Sequence, residues 1–435
     1  MIKISNNKYQ ISNIKYQISN FKIWWLIIPA VMVRIFLAMS TFHPDIRAFN
    51  LAGDLIVGGN ITNLYDYLAS CTVDNPLVKT FGADLFIYPP LIYLLHGVFN
   101  FFLSIIFGRE IMNGFIIEQA SFFGNWLFNL HLLLLKLPYF LFDLPAVFAI
   151  TSFFEKKQEK VWAALLWLFN PVILYSAYMM GQFDVIPAVL TVWSLWCISK
   201  KKLYFAALLL GLAAAFKLYP LFLVVPFIII GKTWKEKLSL GLLAVFPYLL
   251  SIIPFLPSHG FRAYALMTGL TQKTLYAQIP ISGGESLLLF PLVLMVLYFY
   301  FWFYDKSVER VWQRWFVVLL SFFIFTHFHP QWFSWLAPFL VIEVVRFRFK
   351  TVLPHVFLAL SYIGMIFLFD PSLTVKIFAP LFPSLYILPG TWQELGVRID
   401  EMYIRSILQT VFASACVFYI YLYFAKKLPD PEKEE

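Results

Sequence analysis

Apolar stretches about as long as a bilayer is thick recur along the whole chain. A helix needs roughly 20 consecutive apolar residues to cross a bilayer, and such runs lie at 23–42, 238–257, 286–304, 352–369 and 406–424. Only 13% of the 435 residues are charged, whereas a soluble domain carries about 25%. We therefore predict an all-α polytopic membrane protein, in which helices satisfy the backbone hydrogen bonds inside the lipid.

Charge and cysteine content exclude several other classes of protein. The net charge of +9 does not indicate a nucleic-acid partner, because the position of Lys and Arg matters more than their number in a membrane protein. Cys71, Cys197 and Cys416 are scattered, so neither a disulfide framework nor a cysteine metal site is expected. The first apolar run is long and lacks a small-residue cleavage site, so we expect a retained helix rather than a signal peptide.

Basic clusters between the apolar runs predict the topology. Cytoplasmic loops carry the excess of Lys and Arg, so we place every cluster in the cytoplasm. An even number of crossings must join consecutive clusters, which gives about 12 transmembrane helices with both termini in the cytoplasm. The protein is expected in the cell membrane. The simplest count makes 43–128 one long outer loop, within which 88–107 lies in or dips into the outer leaflet. The basic regions are 1–22, 156–160, 200–202, 232–237, 306–314, 346–350 and 426–433.

These boundaries divide the chain into four regions. Residues 1–22 form a low-complexity cytoplasmic tail with a seven-residue repeat. The main transmembrane region covers 23–350, and 351–425 holds the C-terminal helices with a further outer loop. Residues 426–435 form a second cytoplasmic tail.

The long first outer loop is expected to carry amphipathic surface helices. Phe49, Ala52, Leu55, Ile56 and Gly59 follow Asp45 at helical spacing, which predicts a helix lying on the membrane surface. Together with the dipping segment, this helix would form a groove open to lipid. Such a groove suits a substrate with a polyprenyl tail.

Polar residues gather at the predicted outward breaks between helices. Charged side chains beside hydrocarbon are costly and usually functional. An acid at this place could act as a general base, and cations could hold a departing phosphate. The breaks therefore predict a site for a hydroxyl-bearing and a phosphate-bearing substrate. They read His43-Pro-Asp45, Gly181-Gln-Phe-Asp184, Lys217-Leu-Tyr-Pro220 and His327-Phe-His-Pro-Gln-Trp332.

Each of these residues also has an ordinary structural role. Asp45 and Asp184 could cap the helices that follow them. Lys217 could extend its ammonium group to the membrane interface, and the two histidines could belong to an interfacial aromatic belt. A site is favoured because all four breaks face the same side of the membrane. No spacing of His, Cys or acidic residues supports a zinc site.

The four breaks belong to an ordered series of motifs. The series is Asp45, an amphipathic helix ending at Gly58-Gly59, Leu64-Tyr65, Tyr88-Pro-Pro90, Lys136 with Asp143, Asn170-Pro171 and the later three breaks. This series resembles the GT-C superfamily of polyprenyl-phosphate-sugar-dependent glycosyltransferases. The chain is similar to the catalytic subunit of GPI mannosyltransferase I and to the bacterial phosphatidylinositol-mannoside mannosyltransferases, and the likeness runs from about residue 30 to 345.

The resemblance implies a GT-C-like helical bundle and an inverting hexose transfer, with mannose as the expected sugar. The donor would be a polyprenyl-phosphate sugar, the acceptor a glycolipid or glycan hydroxyl, and the site would lie on the extracytoplasmic face. By analogy Asp45 is the general base, Asp184 belongs to a second polar site, and Lys217 or His329 contacts the donor phosphate. The expected partners are this donor, this acceptor and membrane lipids, with no nucleic acid.

Further residues are expected to contact the substrates. Where the GPI enzyme has an Asp-x-Asp pattern, this chain has Asp45-Ile-Arg47, so we expect no cofactor and no required metal ion, with Arg47 able to neutralise phosphate. Arg262 and Lys273, in the outer loop 258–285, could help select the acceptor or could be solvated loop residues. The full set of expected substrate-binding residues is Arg47, Tyr88, Gln182, Lys217, Tyr219, His327, Gln331, Trp332, Arg262 and Lys273; Asp45, Asp184 and His329 form the expected catalytic set.

Two other functions stay open at this level. A transporter or lipid-linked glycan flippase commonly shows inverted repeats and binding residues near the bilayer midplane, and neither is evident. A lipid-linked glycan ligase should use a larger site in the outer loops 258–285 or 370–405. The helices after 350 carry no recognisable motif and are expected only to complete the bundle.

Overall fold

The computed structural model of the chain describes residues 24–266, 272–327, 329–396 and 400–425. The predicted cytoplasmic tails 1–22 and 426–435, and with them the N-terminal repeat, lie outside the described residues. Within the described ranges, helices dominate and two short strands form one sheet. The predicted all-α class is therefore confirmed.

The α-helices follow one another along the chain and are joined mostly by short turns. In chain order they are α1 (Trp24–Ser40), α2 (Ile46–Val57), α3 (Leu64–Ser70), α4 (Pro76–Phe81), α5 (Pro90–Phe107), α6 (Arg109–Ile117), α7 (Trp126–Thr151), α8 (Lys157–Leu168), α9 (Pro171–Ile173), α10 (Val185–Ser199), α11 (Leu203–Phe216), α12 (Val224–Ile228), α13 (Trp234–Ile252), α14 (Leu289–Tyr304), α15 (Val311–Phe325), α16 (Ala337–Arg346), α17 (Val352–Ile366), α18 (Thr391–Glu394) and α19 (Glu401–Phe424).

Tighter and wider helical turns, and one hairpin, complete the regular structure of the described residues. Strands β1 (Gln278–Ser282) and β2 (Glu285–Leu288) pair antiparallel, with Gln278 opposite Leu288. The π-helical turns are Leu174–Met179 and Phe261–Leu266, and the 3-10 turns are Gln119–Phe122, Tyr219–Leu223, Ile253–Phe255, Lys273–Leu275, Pro330–Trp335, Pro371–Leu373, Lys376–Phe378 and Pro383–Ile387.

Several helices have the length and composition of membrane spans. Among the described residues five helical segments are long and apolar enough to cross a membrane, and seven shorter apolar helices accompany them. A membrane protein is thus supported, while the count of about 12 crossings stays a prediction. The segment that we expected to dip into the leaflet is the unbroken 18-residue helix α5. The five long segments are Pro90–Phe107, Trp126–Thr151, Lys157–Met179, Trp234–Phe255 and Glu401–Phe424.

The predicted surface helix after Asp45 forms, but its apolar face packs on protein rather than lipid. It is α2, and its residue Phe49 is fully buried with its ring stacked at 5.1 Å on that of His96 in α5. The two helices approach so closely that a Cβ on Gly53 would lie 2.2 Å from Nδ2 of Asn100. Helix α5 offers α2 a large apolar partner, which the sequence-based placement on the membrane surface did not foresee.

A buried lysine in α7 joins the two chain segments that lead into the candidate site. Nζ of Lys136 donates to the carbonyl oxygens of Ala38, Thr41 and Tyr178 at 3.0, 2.7 and 2.9 Å. These carbonyls lie at or just beyond the ends of α1 and the π-turn Leu174–Met179, where helical partners run out. A cation at helix C-termini is also favoured by the helix dipole. Lys136 thereby holds the first two breaks side by side.

An ion pair further along α7 from Lys136 fixes the same helices. Nε of Arg34 donates to Oδ2 of Asp143 at 2.6 Å, and both side chains are fully buried. The hydroxyl of Tyr178 donates to the same oxygen at 2.8 Å, and the indole of Trp167 donates to the Asp143 carbonyl. Because a buried charge is tolerated only when it is paired, this cluster ties α1, α7, α8 and the π-turn into one frame.

Candidate active site

The carboxylate of Asp45 lies in the loop between α1 and α2 and is open to a ligand. It occupies the position before α2 but makes no side-chain cap hydrogen bond, so the capping role considered above does not apply. Its Oδ2 accepts from Nε2 of Gln182 at 2.7 Å. The Asp45 side chain is still 47% exposed, whereas Gln182 is fully buried. A fixed amide therefore orients a carboxylate that stays partly exposed.

A histidine lies beside this carboxylate. Nδ1 of His43 is 3.7 Å from Oδ2 of Asp45 and accepts from the Asp45 backbone N–H at 3.3 Å. Burial lowers the pKa of His43, although Asp45 and Asp370 oppose this shift. His43 is therefore neutral near pH 7 and brings no positive charge to the side of Asp45.

The second break turns on Gly181, whose backbone has φ +72°. This left-handed conformation favours glycine, and a Cβ here would lie 2.7 Å from Cδ1 of Ile46. The Gly181 carbonyl accepts from the hydroxyl of Tyr139 at 2.8 Å. The turn can therefore press against the start of α2, which places Gln182 opposite Asp45.

Asp184 pairs with Lys217 in the interior. Nζ of Lys217 donates to Oδ1 of Asp184 at 2.6 Å, and the side chains are 9% and 0% exposed. The indole Nε1 of Trp335 donates to the same oxygen at 2.7 Å. Asp184 makes no helix-cap hydrogen bond with its side chain. The second and third breaks therefore meet in one buried ion pair and not on an open surface.

Aromatic rings surround the ammonium group of Lys217. It lies 5.1 to 5.5 Å from the ring centroids of Tyr88, Phe183, Trp332 and Trp335, within the range of cation–π attraction. Lys217 therefore does not extend to a membrane interface. The expected direct contact of Lys217 with a donor phosphate stays a prediction that this pairing disfavours, since its charge is already balanced.

Burial acts on both members of this pair. It raises the pKa of Asp184, against the lowering effects of Lys217 and of the hydrogen bond from Trp335. It also lowers the pKa of Lys217, against the raising effect of Asp184. Each group thus depends on the other for its charge, so neither can be removed alone without cost.

The fourth break brings a histidine to the lysine of the predicted outer loop. Nζ of Lys273 lies 2.7 Å from Nε2 of His329, so the ammonium donates to an imidazole nitrogen that carries no proton. Burial, followed by the charge of Lys273, lowers the pKa of His329 to about 3. His327 is exposed, and its ring lies 5.9 Å from that of His329. A neutral imidazole and a lysine cation therefore face this part of the cleft.

A small cavity lies beside Lys217 and the rings that surround it. It measures about 80 Å³ and is lined by Tyr88, Lys217, Tyr219, Thr274, Trp332 and Trp335. Tyr219 stacks on Trp335 at 4.1 Å, and the His329 ring lies 5.5 Å from Trp332. Gln331 is buried in the same turn. Aromatic faces with few polar groups suit the C–H faces of a sugar ring.

The two expected arginines contact neighbouring protein groups, and their roles toward substrates stay predictions. The guanidinium of Arg47 lies over the ring of Phe81 at 4.5 Å, where burial lowers the Arg47 pKa. The Nη1 of Arg262 donates to the carbonyls of Leu256 and Pro257, which gives it a local role in its own loop. The structure thus brings Lys273 to the site but directs Arg262 into its loop.

Sequence reasoning missed two residues that contact the site. Trp335 follows the His-Pro-Gln-Trp motif by three residues, and only its helical spacing from Trp332 could have indicated it. Arg405, near the start of α19, lies 4.0 Å above the ring of Phe369, and both His327 and His329 have ring contacts with that same Phe369. No sequence motif marks Arg405.

The described part of the chain contains no group of three or more His, Cys, Asp or Glu residues that could hold a metal ion. The expectation of a metal-independent site stays a prediction.

A comparison with known families gives one match. The family model of glycosyltransferase family 87 matches residues 86–369, which is more than half of the chain. This range contains Asp184, Lys217 and His329, while Asp45 precedes it and Arg405 follows it. No curated protein matches the chain.

Proposed function

The chain belongs to glycosyltransferase family 87, and we propose that it moves a hexose from a polyprenyl-phosphate donor to an acceptor hydroxyl, with Asp45 as the general base. Family membership makes the protein a membrane glycosyltransferase of GT-C type. The donor, the acceptor, the sugar and the catalytic residues belong to the proposal. Mannose is the proposed sugar, and a glycolipid or glycan is the proposed acceptor.

The separation of charge across the site carries this proposal. Asp45 is exposed beside a neutral histidine, while Lys273 lies beside His329. Lys217, which forms an ion pair of no net charge with Asp184, is within electrostatic reach of both Asp45 and His329. Inverting transfer needs a base on one side of the anomeric carbon and stabilisation of the leaving group on the other.

The reaction follows from this arrangement. Asp45 takes the proton of the acceptor hydroxyl, and the acceptor oxygen forms a bond to the anomeric carbon. The bond from that carbon to the phosphate oxygen breaks, and its electrons leave with polyprenyl phosphate. Gln182 holds the carboxylate in place through its 2.7 Å hydrogen bond, and the proton stays on Asp45 until the product leaves.

A lipid-linked donor also suits the proposed topology. The basic clusters predict that the site faces outward, whereas nucleotide sugars are made in the cytoplasm. Two of the basic regions lie near each other, because Nη2 of Arg346 donates to the Phe153 carbonyl at 3.0 Å, three residues before Lys156. A sugar carried on a polyprenyl phosphate can reach an outward site from within the membrane.

Glycosyl transfer by the purified protein tests this function. The protein is placed in nanodiscs with polyprenyl-phosphate-mannose and a lipid extract, and Asp45→Asn is compared with the wild type. Loss of a general base is expected to reduce transfer by roughly 100-fold or more, while donor binding and thermal unfolding stay unchanged. The amide of asparagine retains the size of Asp45 but cannot take a proton.

Two results would count against the proposal. Equal transfer by Asp45→Asn and wild type would remove Asp45 from the mechanism and direct attention to Asp184. Absence of transfer from any polyprenyl-linked sugar, by a protein that is folded and binds polyprenyl phosphate, would reject this donor class. Lys79→Gln, at a 61% exposed lysine, serves as the control for surface substitutions.

A further inference from the structure

A positively charged region near the site involves the C-terminal helix α19. A cavity of about 450 Å³ is lined by Tyr276, His327, Phe369, Arg405, Ser406 and Gln409. Phe369 is the shared platform, because Arg405 lies over its ring at 4.0 Å and the ring centroids of His327 and His329 lie 6.2 and 6.5 Å away. Lys273 joins this group through His329.

Two cations of this group lack an ion-pair partner. Among the described residues no carboxylate oxygen lies within 4.0 Å of Lys273 or Arg405. The polar contact of Arg405 is a weak one from Nη1 to the Met402 sulfur at 3.8 Å. Glu401 acts on Arg405 electrostatically without forming an ion pair, and with Asp370 it lines an adjacent cavity that shares Arg405. The charges of Lys273 and Arg405 both act on His327 and His329, and cations that share neighbours in this way favour an anionic ligand.

The position of Arg405 is fixed by packing. One turn further along α19, Nε2 of Gln409 donates to the carbonyl of Phe323 in α15 at 3.0 Å. Phe412 continues this contact, with its ring 6.1 Å from that of Phe323. A guanidinium on a fixed helix, stacked on a ring, loses little further freedom when it binds an oxyanion.

The cation of the central ion pair is not available for this task. Lys217 already donates to Asp184 at 2.6 Å and is enclosed by rings. A phosphate at Lys217 would have to displace a buried carboxylate, which would then lie unpaired in the interior. Lys273 and Arg405 can accept a phosphate without this loss.

We infer that the cleft around Phe369 binds the phosphate of the lipid-linked donor, with Lys273 and Arg405 as its cationic contacts. This inference rests on the proposed function, whose donor carries the phosphate. It assigns Arg405, which lies outside the range matched by the family, a role in donor binding. The leaving phosphate is then held at the end of the site away from Asp45.

Direct binding of polyprenyl phosphate tests the inference without requiring catalysis. The full chain in phosphatidylcholine nanodiscs is titrated with polyprenyl phosphate. A hydrogen bond to a charged group contributes about 1.5–3 kcal/mol, so Arg405→Gln and Lys273→Gln should each raise Kd by roughly 10-fold or more. Arg405→Lys should recover part of the affinity, because it keeps the charge but not the planar fork. Lys79→Gln is the matched control.

Steady-state kinetics identify the source of the phosphate. Donor and acceptor concentrations are varied separately. Arg405→Gln should raise KM for the donor, whose phosphate it is proposed to contact. KM for the acceptor should stay within about 2-fold of the wild type, because a substitution away from the acceptor has a weak effect. A rise confined to the acceptor KM would assign the cleft to an acceptor head group and overturn the inference. Unchanged Kd in folded Arg405→Gln and Lys273→Gln would also overturn it, whether or not the protein transfers sugar.

Discussion

Replacing Lys217 with methionine tests whether the centre of the site is a dry ion pair. Methionine approximates the length and volume of the lysine stem, so the surrounding rings keep a neighbour. The change removes the 2.6 Å hydrogen bond to Asp184 and leaves that carboxylate with Trp335 as its donor. Asp184 is fully buried, so water cannot replace the lost cation.

The expected cost is large for a single substitution. Breaking a buried ion pair by removing one partner costs about 3–5 kcal/mol, because a buried charge is left uncompensated. The double variant Asp184→Asn with Lys217→Met removes both charges, and replacing a buried pair in this way is often close to neutral. The double variant should therefore be more stable than Lys217→Met alone, with the asparagine oxygen still accepting from Trp335.

Unfolding by SDS titration in mixed micelles measures these free energies. Lys79→Met provides the matched control, since its partner Asp74 lies 3.3 Å away and the side chains are 61% and 95% exposed; an exposed pair contributes at most about 1 kcal/mol. A cost below about 1 kcal/mol for Lys217→Met, or a double variant no more stable than the single one, would refute the argument that the pair is buried and interdependent.

Two further changes test the turn at Gly181 and the state of His329. Gly181→Ala introduces a Cβ 2.7 Å from Ile46 and should reduce kcat by roughly 100-fold, because it displaces the Asp45 loop. The control Gly283→Ala is also at positive φ but has no neighbour within 4 Å, so it should leave kcat unchanged. Equal effects of the two substitutions on kcat would contradict this prediction. Because the pKa of His329 is about 3, against 6.5 ordinarily, the unfolded chain takes up the proton first, and stability falls as pH drops below 6.5 by at most about 1.4 kcal/mol per unit. SDS unfolding at pH 7 and pH 5 should show a smaller loss for His329→Gln than for wild type, while the exposed His259→Gln should behave as wild type.

The helices were largely predictable because long apolar runs leave few alternatives in a membrane. The run 23–42 corresponds to the helix Trp24–Ser40, and 406–424 lies within Glu401–Phe424. The hairpin Gln278–Leu288 was not predicted, although Gly283-Gly284 between short strands is a hairpin signal. Most of that stretch lies outside the long apolar runs, so it was predicted only as an outer loop.

The sequence indicated several residues that lie near one another in the candidate site, but not which of them are buried and paired. Topology placed the four breaks on one side, and the structure brings Asp45 to Gln182 and Asp184 to Lys217. A sequence of outward breaks does not indicate which polar groups turn inward and pair. The pairing of Asp184 with Lys217 depends on the ring of Trp335, whose position is set by tertiary packing.

The C-terminal helices were expected only to complete the bundle, yet the segment that follows α17 packs directly on the candidate site. The backbone N–H of Phe42 donates to the carbonyl of Ile377 at 2.8 Å, three residues before Asp45. The hydroxyl of Tyr175 donates to the carbonyl of Leu373 at 2.6 Å, at the π-turn that precedes Gln182. Because these contacts join both loops of the candidate site to residues 373–377, the segment that follows α17 takes part in positioning Asp45 and Gln182.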